Sequence, residues 1–104
     1  MVSNDLLEGA VKFHGHFGPF LVLGLRAALT GVNYLGEDCF ELMAKVGTTL
    51  HPPRSCFIDG IQFASGCTTV KDNLETHVSN NVSVEFFRGK NKISLVVRND
   101  ILKT

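Results

Sequence analysis

Residues 82–97 read VSVEFFRGKNKISLVV, and the fold class turns on them. In Val82-Ser83-Val84-Glu85-Phe86 apolar and polar residues alternate, and Ile93-Ser94-Leu95-Val96-Val97 repeats the pattern. A period of two marks a strand that buries one face. Arg88-Gly89-Lys90-Asn91-Lys92 between them holds the residue types of a tight connection. The stretch therefore predicts a hairpin over Val82–Val97 with its turn at Gly89–Asn91. Strands joined this closely pair antiparallel. Everything upstream must extend this sheet or cover it.

Upstream, the apolar period changes from two to that of a helix. Leu6, Leu7, Ala10 and Val11 share a face, which predicts a helix over Asn4–Lys12 with Asn4 as its cap. Pro19 suits a helix start, where its missing N–H costs nothing. From there Leu21, Val22, Leu25, Ala28 and Leu29 predict a helix over Pro19–Thr30, stopped at Gly31. Gly24 within it costs about 1 kcal/mol against Ala, which close backbone packing or access to a site would justify. Cys39 to Thr48 reads as a strand centred on Phe40–Val46. His51-Pro52-Pro53-Arg54 is a loop, because neither proline has an N–H to donate. Asp59 reads as the cap of a helix over Ile58–Ser65 that stops near Gly66. Asn73 to Asn81 is polar and shows no period, and Asn99-Asp100 would break the last strand before Ile101 and Leu102. The sum is one domain over residues 1–104, an α+β sandwich with helices on one face of a mainly antiparallel sheet.

Composition narrows the function classes. The chain has 104 residues, 44% of them apolar, enough to bury a core without disulfides. Ten basic and ten acidic residues balance, so no field steers the chain to nucleic acid. Met1-Val2-Ser3 opens no charged and apolar leader. The apolar run from Phe17 to Leu29 is broken by Gly24 and Arg26 and is too short to cross a bilayer. A cytoplasmic location follows as the expectation. Cys39, Cys56 and Cys67 are odd in number and form no CxxC pair, so reduced thiols are expected, and Cys39 reads as a buried structural one.

The chemistry concentrates in Phe13 to Phe20, FHGHFGPF. His14 and His16 stand one residue apart at the mouth of an apolar helix, an arrangement that can point both rings the same way. Cys56, Asp59 and Cys67 flank the other helix. A mixed histidine and cysteine set suits zinc or another borderline metal. The structural alternative makes His14 a cap and His16 a hydrogen-bonded core residue.

FHGHFGPFLVLGLRAAL followed by CFIDGIQFASGCTTVKDNL resembles the FmdE family, which takes its name from formylmethanofuran dehydrogenase. That family's pattern runs close to FHGHLCPGLALGxRAA and then CGVDAxQxLTGCTxGKGNL. The match covers Val11 to Leu74, with the two motifs agreeing in order and spacing. The resemblance implies an α-β-α-β-β-β core, similar to the catalytic domain of glyceraldehyde-3-phosphate dehydrogenase. It also implies metal ligation by His14, His16, Cys56 and Cys67, with Asp59, Gln62, Thr68, Lys71 and Asn73 supporting the site or binding a ligand. Gly18 stands where the family pattern has cysteine, and Phe20 where it has glycine, so one donor is missing and the metal position could be empty. No cysteine follows Cys67, so the C-terminal zinc ribbon of longer relatives is absent from this sequence.

What the resemblance implies is a zinc-binding accessory protein, homodimeric and associated with a molybdenum or tungsten enzyme. Two alternatives stand beside it. One is a thiol enzyme in which Cys67 is activated by His14 or His16; Cys67-Thr68-Thr69 echoes the catalytic segment of glyceraldehyde-3-phosphate dehydrogenases, without any dinucleotide motif. The other is a partner-binding module with a degenerate site. All readings expect no nucleic acid and no membrane. The site reading sets the HGH segment on one wall of a cleft and Cys67 on the facing wall.

Overall fold

Ser3 starts the first helix: its Oγ accepts a hydrogen bond from the Leu6 amide at 3.1 Å, so Ser3 is the cap and Asn4 the first helical residue. The computed structural model describes residues 2–15, 17–36, 41–49, 51, 53–68 and 70–98. Within them α1 spans Asn4–His14, α2 Pro19–Leu35 and α3 Cys56–Ser65. The strands are β1 Met43–Thr48, β2 Leu74–Val78, β3 Ser83–Arg88 and β4 Asn91–Val96. His16, Cys39, Phe40, Pro52, Thr69 and the Asn99-Asp100 break lie outside the described residues.

The four strands form one sheet in the order β2-β1-β3-β4. β3 runs antiparallel to β4, as the alternating stretch predicted, and β1 runs antiparallel to β3. β3 and β4 meet at Arg88 and Asn91, so the turn is Gly89-Lys90, one residue shorter than expected. Positive φ at Gly89, with none at Lys90, is the pattern of a II′ connection. β2 falls in the polar stretch that showed no period, but the α-β-α-β-β-β order that the resemblance implies includes it. The strand pairs parallel with β1 through the α3 crossover, which makes the sheet mixed. Leu74 is its one buried residue, so a polar edge strand carries no alternation to read. The class is α+β.

Ala44, Val46, Val84 and Phe86 are buried against Ala28, Phe57 and Ile61 of the helices and form the core. The alternate residues Lys45, Glu75, Glu85 and Lys92 lie on the other face, where Lys92 pairs with Glu85 at 3.5 Å.

α2 and α3 cross at their glycines. A Cβ on Gly24 would collide with the Phe57 carbonyl oxygen, and one on Gly60 would stand 2.5 Å from that of Leu21. Close backbone approach is thus the reason for Gly24. Gly31 does not stop α2, which continues to Leu35 and ends at Gly36. Its missing side chain makes room for the Phe86 ring instead. α3 likewise begins three residues before Asp59. Amides of Cys56, Phe57 and Ile58 bond to the carbonyls of Pro53, Arg54 and Ser55, so the loop winds directly into the helix. Asp59 is therefore inside the first turn and is not the cap.

Candidate functional site

α1 ends at His14 because Gly15 takes up the left-handed conformation, φ 107°, and returns its amide to the Val11 carbonyl. The helix is held against α3 by the Phe13 and Phe63 rings, 5.7 Å apart, and by Gly9, which faces Phe63. This packing brings His14 to the first turn of α3. His14 Nδ1 lies 2.5 Å from Asp59 Oδ2, and Asp59 Oδ1 accepts from Gln62 Nε2 at 3.2 Å.

The chemistry of this pair follows from its donors. A carboxylate only accepts, so Nδ1 of His14 is the donor in this contact, and in a neutral ring with that tautomer the lone pair is on Nε2. Nε2 is shielded from solvent. Asp59 stands in the first turn of α3, at the positive end of its dipole. Cys56 lies one turn before Asp59 and is buried. Burial first, and then the Asp59 charge, push its thiol above the ordinary range, against a smaller pull from a backbone hydrogen bond. At neutral pH Cys56 is a thiol, not a thiolate.

Cys67 is elsewhere. Asp59 and Ser65 are six residues apart on α3, a rise of about 9 Å, and Cys67 lies past the far end. It is fully buried in the core. Its Sγ donates to the Leu42 carbonyl at 3.3 Å and its amide to Ser65 Oγ at 3.1 Å. Asn73 Nδ2 donates to the same Leu42 carbonyl at 3.3 Å, while Asn73 Oδ1 accepts from the Thr68 amide at 2.8 Å. The Asn73 carbonyl accepts from the Ala44 amide at 3.0 Å, and Thr68 Oγ1 from the Lys71 amide at 3.4 Å. The Cys67–Asn73 part of the motif thus ties the loop after α3 to the start of β1.

Of the residues singled out in the sequence, the structure gathers His14, Asp59 and Gln62, with Cys56 near Asp59. It sets Cys67, Thr68, Lys71 and Asn73 at the opposite end of α3. Neither Cys56 nor Cys67 is in a disulfide. Among the described residues no group of three or more His, Cys, Asp and Glu comes together that could hold a metal ion. Sequence reasoning missed Phe13 and Phe17 beside the histidine pair. They are 56% and 64% exposed, and their aromatic character next to HGH was the available signal. It also missed Gly60 as the counterpart of Gly24.

The profile of the family described as FmdE, Molybdenum formylmethanofuran dehydrogenase operon, matches residues 13–103. The chain belongs to the FmdE family. A curated relative from Archaeoglobus fulgidus is named Probable S-adenosyl-L-methionine-binding protein. It is 35% identical over 98 residues, covering 91% of this chain and 24% of that protein. This FmdE domain therefore spans about a quarter of that relative's length. No helix among its described residues is long and apolar enough to cross a membrane.

Proposed function

We propose that this FmdE-family chain is an accessory binding domain whose working group is the His14 imidazole and whose ligand is a divalent transition metal, with zinc first. One observation supports the reading: Asp59 holds Nδ1 of His14, and Gln62 holds Asp59. Imidazoles that ligate metals almost always carry such a carboxylate or carbonyl on the other nitrogen, because it orients the ring and makes Nε2 more basic. His14 Nε2 would be one ligand and His16 the next. Gly18 offers no thiolate and Cys67 is turned into the core, so remaining positions would fall to Cys56, water or an incoming ligand. A bound zinc would supply Lewis acidity there. A homodimeric cytoplasmic protein that assists a molybdenum or tungsten enzyme belongs to the same proposal.

Titration with zinc against a chromophoric chelator tests it. Stoichiometric binding is expected, lost in His14→Ala, weakened about 10- to 100-fold in Asp59→Asn, and kept in Cys67→Ala. Binding that survives His14→Ala sinks the proposal. The name of the 35%-identical relative favours a second reading, in which the domain binds S-adenosyl-L-methionine. Calorimetry with that compound on the metal-free protein separates the two.

A further inference from the structure

Thr48 is the last residue of β1, and it is fully buried, yet its Oγ1 has no hydrogen-bond partner. Such a hydroxyl costs stability that a valine of the same shape would not, and in a native protein it calls for a reason, a bound ligand among them. Strand alternation puts Thr48 on the face that Ala44 and Val46 turn to the helices. β1 and β2 run parallel with α3 between them, so α3 starts at the carboxyl end of β1. Asp59 stands in that first turn with His14 bonded to it, and Cys56 opens it. The Thr48 hydroxyl and the His14–Asp59 pair therefore share one end of the β1-α3-β2 unit. At that end β1 is flanked by β2 on one side and β3 on the other, and α/β sheets bind ligands outside the carboxyl ends of strands at such switch points. The helix layer stops short there, because Val78, opposite Thr48 and on the same face, is 73% exposed. The amides of Cys56, Phe57 and Ile58 are already bonded to loop carbonyls, which leaves the Thr48 hydroxyl to meet a ligand.

We propose that Thr48 Oγ1 donates a hydrogen bond to an anionic oxygen, a carboxylate or hydroxamate, of a small ligand that shares the His14 site with the metal. The site then reaches from the first turn of α3 to the end of β1, and Thr48 is a residue that positions the ligand without ligating the ion. The inference rests on the reading of His14 as the metal-binding group. A hydroxyl has one proton to donate, and its bond to an ionised acceptor is about twice as strong as to a neutral one. An anionic oxygen is thus the partner that best offsets the cost of burying this hydroxyl.

Cobalt(II) in place of zinc gives a visible spectrum, and acetohydroxamate is the probe. Thr48→Val keeps the shape of the side chain and removes the hydroxyl. In this variant cobalt affinity should match the wild type, and the denaturation midpoint of the metal-free protein should be equal or higher. Acetohydroxamate should bind the cobalt-loaded variant about tenfold more weakly or worse, the loss of one hydrogen bond to a charged group. Thr48→Ser, which keeps the hydroxyl, should bind the probe as the wild type does. A lower midpoint in Thr48→Val would make the hydroxyl a structural bond and overturn the assignment. Unchanged probe affinity in Thr48→Val, equal weakening in Thr48→Ser, or no probe binding to the cobalt-loaded wild type would do the same while leaving the metal reading intact. A wild-type protein that takes up no cobalt would sink the metal reading and this inference together.

Discussion

At the N-terminal end of α3, Asp59 reaches across to a histidine of another helix while Gln62 donates to Asp59. At its C-terminal end, Cys67, Thr68 and Asn73 turn back to the backbone of their own loop and of Leu42. Both ends carry residue types that serve chemistry, and they stand in one motif. The partner separates them. A side chain satisfied by backbone holds the chain in place, whereas a carboxylate satisfied by an imidazole orients the ring. Burial points the same way, because Cys67 is fully enclosed while the Asp59 side chain keeps 34% exposure.

The largest effect belongs between the two ends, where α3 crosses α2. Gly60→Leu drives a side chain into the Leu21 carbonyl and the Gly24 backbone, which cannot yield as a side chain can. A loss of about 3 kcal/mol or more is expected from overpacking at this contact, read by chemical denaturation. A fully stable variant would show that the helices can move apart and that the two ends are not rigidly joined.

Next comes the C-terminal end. Asn73→Ala removes partners from the Thr68 amide and the Leu42 carbonyl in a buried place, and should cost about 2 kcal/mol. Its ligand binding should follow the wild type. Loss of binding at unchanged stability would reverse the roles given to the two ends. Cys67→Ala should cost about 1 kcal/mol, because Asn73 still donates to the Leu42 carbonyl.

The smallest effect is electrostatic and tests the N-terminal end alone. The negative charge of Asp59 opposes ionisation of Cys56, so Asp59→Asn should lower the thiol's pKa and speed its alkylation at a fixed, mildly alkaline pH. Mass spectrometry of iodoacetamide-treated protein reads the rate. The raised thiol also sets a sign for stability. Its contribution is present below the ordinary thiol pKa and is lost as pH climbs through the raised folded value. An unchanged alkylation rate would place Asp59 too far from Cys56 to matter.

Periodicity and special residues were enough for the hairpin, for α2 from Pro19, and for the helix before Gly66, because alternation and caps act through near neighbours. His14 and Asp59 stood out because their residue types declare their chemistry, whereas Gln62 entered only through the resemblance to the FmdE family. Pairing over long separations was not readable. His14 and Asp59 are 45 residues apart, and nothing local tells that Asp59 rather than Cys67 meets the imidazole. β2 has no alternation, since its place is set by hydrogen bonds to β1 and not by a buried face. Gly31 is a stop signal in one dimension and a seat for Phe86 in three. The chain therefore declared which segments prefer helix or strand and which side chains carry chemistry. Packing decided their partners, because burial and backbone contact depend on neighbours that the chain brings close only when folded.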